Sequence, residues 1–359
     1  MQKVRVAIVG AGNISNTRHI PALKKLKNVE IVGVVGVKLK NVERTLKQHH
    51  IVNSLLITDG SFYESLKSCD WFQTVDMVAI GAPPRDHFAM VEASLRNNKH
   101  VLVEKPMTMD EAEADKLIAL AKKQRKQFCV MHNFQFTSGI QRLERMIANG
   151  ELGNIVSFYE TQLTNRRRRL PEWYKDLPLG LFYDEAPHFM YLLEKFGGPL
   201  VVQNSFAQYG PDKTDETPQL LSVSLTAGRY PVNIFLNFDA PVCEWWFVAC
   251  GDKKIAFYDL FKDILVVLPS DNEHYAADIL KNSLRTSSQF WGGFIKNGFK
   301  MVSGNLLYGH ETVMRKVVEA VAGNQAVDPD INAEAGRRTV AYMEAIVRHT
   351  NKRSAKAPQ

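Results

Sequence analysis

Cysteine is scarce, and the four present, Cys69, Cys129, Cys243 and Cys250, never fall at C-x-x-C spacing. That pattern argues against a zinc site or a disulfide framework and points to reduced thiols. Apolar runs are short as well. None approaches the roughly 18 residues that span a bilayer, and the N-terminus enters a strand pattern without the marks of a signal peptide. No long basic stripe with interleaved aromatics is present, although 45 Lys+Arg outnumber 38 Asp+Glu to give a net charge of +7. The expectation is therefore a cytoplasmic protein that can take an anionic ligand, with neither nucleic acid nor membrane as partner. Internal repeats are also lacking. What is there is ordinary globular composition, 45% hydrophobic and 23% charged, over 359 residues, a length that suggests two domains.

The chain is organised around Val101-Leu102-Val103-Glu104-Lys105-Pro106. Three aliphatic residues read as a strand buried on both faces, and Pro106 ends it because it has no N–H and a fixed φ. Lys105 then stands at a strand's carboxyl end, where open α/β sheets bind ligands; otherwise it is a solvated loop lysine. Upstream, the β-branched run Lys3 to Val9 meets Gly10-Ala11-Gly12-Asn13-Ile14-Ser15. Strand, glycine turn and helix start in that order suit a dinucleotide pyrophosphate, with Ser15 where a third glycine is usual. The second strand, Val29 to Val35, ends at Gly36-Val37-Lys38 rather than at the carboxylate expected to hold a ribose 2′-hydroxyl. The missing acid and the nearby Lys38 and Lys40 tilt the expectation to NADP(H) over NAD(H); an NAD site without its acid is the other reading. Val75 to Gly81 is a further buried strand, leading to Pro83 and His87. A helix after Thr108-Met109-Asp110-Glu111, which has capping-box spacing, and a strand at Phe128 to Met131 follow. This alternation of strand and helix predicts a doubly wound parallel sheet, a Rossmann domain over residues 1–131.

The pattern changes after residue 131. Strands at Ile155 to Glu160, Leu220 to Ala227, Val232 to Phe238, Trp245 to Cys250 and Ile255 to Leu260 are close together, and helices return at Glu311 to Val321 and Ala333 to His349. An α+β domain on a large, mainly antiparallel open sheet is predicted over 132–350, with a polar, frayed tail over 351–359. Within it, Asp184 and His188 stand four apart and could present a carboxylate and an imidazole on one helix face. Pro187 leaves a second reading open, in which Asp184 caps a helix that starts there. No third ligand stands at a metal-binding spacing. The run Arg166-Arg167-Arg168-Arg169, followed by Trp173, is either a solvated loop or an anion clamp in which Arg167 and Arg168 grip phosphate and Trp173 stacks.

Gly10-Ala11-Gly12-Asn13-Ile14, Glu104-Lys105-Pro106, Gly150-Glu151-Leu152-Gly153 and Asp184-x-x-x-His188, in this order, give a chain that resembles the Gfo/Idh/MocA oxidoreductases over nearly its whole length. The resemblance implies Lys105, Asp184 and His188 as the catalytic lysine, aspartate and histidine. It places Gly10, Gly12, Asn13, Ile14, Pro83, His87, Glu104 and Lys105 on the cofactor side, joined by Lys38, and Asn133 on the substrate side. It also implies hydride transfer between a nicotinamide and a sugar, cyclitol or nucleotide sugar, interconverting a secondary alcohol and a ketone, in a homo-oligomer built on the open sheet. A regulatory dinucleotide-binding protein and an NAD-using glycosidase are the other readings. Ser15, Gly36, Gln135 and Leu181-Phe182 depart from the family pattern, the first two touching cofactor choice and the others substrate choice.

Overall fold

The structure, a computed structural model, describes residues 3–210, 215–271 and 273–354. By their contacts these fall into two compact units, residues 1–133 with 309–341 and residues 134–308 with 342–359.

The first unit is built on six parallel strands, β1 (Val4–Val9), β2 (Val29–Gly36), β3 (Asn53–Leu56), β4 (Met77–Ile80), β5 (His100–Val103) and β6 (Phe128–Val130), in the order β3-β2-β1-β4-β5-β6. That is the expected Rossmann order, with its switch point between β1 and β4. The central strands are sheathed on both faces, so Val6, Ala7, Ile8, Met77, Val78 and Val101 are all fully buried. Crossovers are made by α1 (Ile20–Lys24), α2 (Leu39–His49), α3 (Phe62–Lys67), α4 (Asp70–Gln73), α5 (Pro84–Arg96) and α6 (Glu111–Gln124). The cap of α6 lies two residues beyond the Thr108 expected for it. Asp110 Oδ1 accepts from the Glu113 N–H at 2.7 Å, and Glu113 Oε2 reaches one residue further back, accepting from the Met109 N–H at 3.1 Å, so the pairing departs from a regular capping box by one position.

The second unit carries an eight-stranded mixed sheet. Its strands are β7 (Ile155–Leu163), β8 (Leu200–Tyr209), β9 (Leu220–Ala227), β10 (Tyr230–Asn237), β11 (Glu244–Gly251), β12 (Lys254–Asp259), β13 (Ile264–Pro269) and β14 (Thr350–Ser354), ordered β13-β12-β11-β7-β10-β9-β8-β14. Pairing is antiparallel except between β7 and β10 and between β8 and β14. The expected α+β class and mainly antiparallel sheet are thus present. On β7 the inward face is Phe158, Glu160 and Gln162, which sit opposite Ala249, Phe247 and Trp245 of β11. Four helices accompany this sheet: α7 (Ser138–Ala148), α8 (Leu181–Glu185), α9 (Pro187–Gly197) and α10 (Ala276–Val302).

Two later helices are α11 (His310–Gly323) and α12 (Ala333–His349), the latter capped by Asn332, whose Oδ1 accepts from the Ala335 N–H at 2.9 Å. The whole of α11 and the first part of α12 group with the six-stranded sheet, not with residues 132–350 as the change of pattern at 131 suggested. In the stretch expected to be a frayed tail, 351–354 pair with β8 as part of β14, and 355–359 lie outside the described residues. None of the four cysteines is in a disulfide.

Candidate active site

The glycine loop follows directly from β1. Gly10 turns the chain with φ at 94°, and a Cβ placed on it would lie 2.5 Å from the Gly81 carbonyl oxygen just past β4. Only glycine fits there. A Cβ on Gly12 would meet nothing nearer than that same oxygen at 3.6 Å, so Gly12 leaves a cradle that a side chain would fill. That is the fit a dinucleotide pyrophosphate requires. Ser15, in the place of the third glycine, is fully buried and donates to Gly10 O at 2.5 Å, while a Cβ on Gly81 would fall 2.6 Å from its hydroxyl. The serine is therefore built into the turn. Asn13 is exposed and Ile14 half-buried beside it.

At the end of β2, Gly36 is set by packing. A Cβ there would strike Val42 at 2.6 Å, so the missing side chain makes room for α2 packing rather than for a ligand. The charge argument stands apart from this. Lys38 is the N-cap of α2, Lys38 and Lys40 are exposed, and the first turn of α2 contains no acid.

Pro83 caps α5 at the end of the turn after β4. His87, fully buried, has Nδ1 2.7 Å from Pro106 O and Nε2 3.0 Å from Ala82 O. Burial pushes its pKa down, so the ring is neutral and donates to one carbonyl at a time. It ties the turn after β4 to the turn after β5, and any effect on a cofactor runs through those two turns.

Lys105 stands two residues past β5, half-buried, with its N–H 3.3 Å from Glu104 Oε2. Glu104 is buried with two imidazoles. His19 Nε2 donates to Oε1 at 2.8 Å, and His310 Nε2 lies 3.7 Å from the same oxygen. Burial alone would raise the Glu104 pKa, but the bonds and charges of His19 and His310 outweigh it and hold the carboxyl well below the usual range. Such a group adds stability above the carboxylate's unfolded pKa and loses it as pH falls through the folded value. Glu104→Gln should cost about 3 kcal/mol at pH 7, as breaking buried ion pairs does. The cost should shrink below about pH 4.3, where unfolded glutamate takes up its proton. Urea unfolding at pH 7 and at about pH 3, well below the unfolded pKa, checks this; a cost that does not shrink at the lower pH would mean that Glu104 is not ionised at pH 7.

In the second unit, α8 and α9 meet at Ala186, whose backbone is helical and serves as the C-cap of one and the N-cap of the other. Pro187 occupies the first position of α9, where its missing N–H costs least. Asp184 therefore lies in a helix of its own, not ahead of the only one, and is half-buried; His188 is buried in the first turn of α9. His188 Nδ1 is 2.8 Å from the Tyr191 hydroxyl, which accepts from the Phe134 N–H at 3.0 Å. Phe134 and Trp245 wall the imidazole, at ring-centre distances of 4.7 and 5.6 Å. Tyr191, Phe134 and Trp245 were not among the expected site residues. Tyr191 was findable as the i+3 neighbour of His188 on one helix face. Glu160 was also missed. Its carboxyl is buried with no hydrogen-bond partner among the described residues, and burial pushes its pKa well up, so it is held neutral.

The arginine run does not act as a block. Arg168 pairs with buried Glu185, which also takes a hydrogen bond from Gln162. Arg166 donates to the carbonyls of Phe238, Thr217 and Pro218. Arg167 is exposed, Trp173 is half-buried, and Asn133 is buried. Among the described residues no group of three or more His, Cys, Asp or Glu is placed to hold a metal ion.

A glycine turn at the switch point of a β3-β2-β1-β4-β5-β6 sheet defines a dinucleotide-binding Rossmann protein. Residues 4–132 match the family model described as an oxidoreductase family with NAD-binding Rossmann fold, Gfo/Idh/MocA. Uncharacterized oxidoreductase YdgJ of Escherichia coli (strain K12) is 27% identical over 227 residues, 61% of this chain and 62% of that protein. The dTDP-3,4-didehydro-2,6-dideoxy-alpha-D-glucose 3-reductase of Actinomadura kijaniata is 27% identical over 157 residues, 43% of this chain and 44% of that protein. Both matches thus span less than two thirds of the relative. The crystal structure of KijD10, a 3-ketoreductase from Actinomadura kijaniata with NADP and TDP-benzene, covers 99% of this chain and 100% of its own with a TM-score of 0.75 at 16% identity, a likeness of fold.

Proposed function

We propose that the protein is an NADP(H)-preferring oxidoreductase that interconverts a secondary alcohol and a ketone on a sugar, cyclitol or nucleotide-sugar substrate. The observation that carries this is Lys105, an ammonium just past the carboxyl end of β5, on the sheet whose β1 ends in the Gly10–Gly12 cradle. Gly10, Gly12, Asn13 and Ile14 would hold the dinucleotide's pyrophosphate, and Lys38 with Lys40 would meet a 2′-phosphate at the open start of α2. Once bound, the nicotinamide supplies or accepts the hydride. Lys105 stabilises negative charge developing on the substrate oxygen, and His188 gives or takes its proton. Tyr191 holds the imidazole by Nδ1, so the exchange falls to Nε2, and Asp184 favours the charged ring.

The A. kijaniata reductase is named for a nucleotide-linked sugar, and a comparable substrate here would bring a diphosphate. Arg167 is then the guanidinium to meet it, with Trp173 beside the base, while Arg168 is committed to Glu185. A panel of sugars, sugar phosphates, nucleotide sugars and cyclitols, followed by nicotinamide absorbance with each cofactor, tests the assignment. Turnover should be found with NADPH favoured over NADH by about tenfold or more, a preference that Lys38→Ala should erode by one charge-assisted contact, about 1.5 kcal/mol. Equal use of NADH by wild type would remove the 2′-phosphate site.

A further inference from the structure

Helix α10 is mounted with its polar side inward. Gln289 reaches β13, where its Oε1 accepts from the Val267 N–H and its Nε2 donates to Val267 O, each at 3.0 Å, closing the free edge of the sheet. One turn on, Gly293 lets the helix approach Ile264, since a Cβ there would lie 3.0 Å from that side chain. Asn297, the buried residue of the helix, donates to Lys262 O and Asp263 O. These anchors recur every four residues and fix one face on the sheet. The opposite face is apolar and exposed: Leu280 62%, Leu284 63%, Trp291 60%, Ile295 70% and Val302 92%, with Phe299 at 83% beside them. Spacings of four and seven place them on one stripe, which from Leu280 to Val302 runs about 33 Å at 1.5 Å per residue. A monomer rarely leaves a continuous stripe of this size uncovered.

Charge says what covers it. Lys281, Arg285, Lys296 and Lys300 are all exposed, against one acid, Asp278, so the helix carries 4 − 1 = +3. A second copy of α10 laid on the first, in either direction, would bring cations against cations. An anionic lipid surface meets both features at once, taking the aromatic and aliphatic stripe at its acyl boundary and the ammonium and guanidinium groups among its phosphates. We propose that α10 is an in-plane membrane anchor that docks this protein on anionic bilayers. Among the described residues no helix is long and apolar enough to cross a membrane, so the mode is lying on, not spanning. This departs from the expectation of no membrane partner, which rested on the absence of a spanning run.

The test is flotation of the full chain with phosphatidylcholine vesicles containing phosphatidylglycerol, or with phosphatidylcholine alone. The bound fraction should be about tenfold higher on the anionic vesicles and fall steeply with added salt. Leu284→Asp with Trp291→Asp should abolish binding, and Lys281→Glu with Arg285→Glu should reduce it to the neutral-vesicle level, both leaving turnover in solution unchanged. The second pair, entirely on the surface, keeps the test valid where the first pair disturbs folding. No flotation of wild type, or equal flotation on both vesicles, overturns the proposal. So does a dimer in sedimentation that Trp291→Asp dissociates without any vesicle binding, because a second copy would then own the stripe.

Discussion

Lys105→Ala and His188→Ala should each lower kcat by about 10²- to 10⁴-fold, the usual worth of a positioned acid, base or charge stabiliser. The two should differ in what else they change. Lys105 follows a strand of the six-stranded sheet, and in the proposed reaction its ammonium would stabilise the substrate oxygen as it becomes negative. Its loss should therefore depress kcat and kcat/KM together and leave dinucleotide affinity within a few fold. In the proposed reaction His188 exchanges a proton, so His188→Ala should also change the pH dependence of kcat/KM. His188→Ala opens an apolar wall made by Phe134 and Trp245, which is why folding must be monitored beside it. His188→Asn keeps more of the volume and should be as slow. Full turnover in any of these variants would remove the residue from the chemistry.

The second large effect is expected at the glycine turn, where two neighbours should behave in opposite ways. Gly10→Ala forces a side chain into a left-handed turn and within 2.5 Å of a backbone oxygen that cannot swing away. It should cost about 2–4 kcal/mol of stability, from strain of about 1–2 kcal/mol with the rest from displaced backbone. Dinucleotide binding should collapse with it. Gly12→Ala has normal clearance, so stability should hold to about 0.5 kcal/mol. Its methyl would nevertheless fill the cradle, and affinity should fall by about 10- to 100-fold, equivalent to 1.4–2.8 kcal/mol. Thermal unfolding with and without NADPH separates the cases. A Gly12→Ala protein that binds NADPH like wild type would place the pyrophosphate elsewhere.

Much of this was legible because the residues carry their physics locally. The strand ending at Glu104-Lys105-Pro106 and the strand-glycine-helix order need only β-branched runs, a proline and glycines to be read. The elements that escaped are those whose cause is distant. β3 is four residues with a half-exposed Asn-Ser-Leu-Leu pattern, and β8 is interrupted by Gln203-Asn204-Ser205 with a register shift between Val202 and Asn204. α10 is long, but its inward positions are Gln289, Gly293 and Asn297, so a search for an apolar core face is turned the wrong way round. Site contacts follow the same division. Asp184 and His188 show as a spacing, whereas the Arg168–Glu185 pair and the His19–Glu104–His310 cluster join residues 17 to 206 positions apart. No periodicity records such pairings. Gly36 is the instructive case: its presence was legible, and its reason, clearance for Val42, was not.

The proposed reaction is hydride transfer to a carbonyl carbon with Lys105 and His188 as the protein's contribution. It is tested most directly with NADPH carrying deuterium at the transferable position of its nicotinamide, using the best substrate of the panel and mass spectrometry of the product. One deuterium is expected on the new carbinol carbon for each cofactor oxidised, with label entering about 10²- to 10⁴-fold more slowly in the Lys105→Ala protein. Cleavage of a glycosidic bond without net cofactor oxidation would make the protein a glycosidase, and tight NADPH binding without turnover of any panel member would make it a sensor. Either result would exclude this reaction.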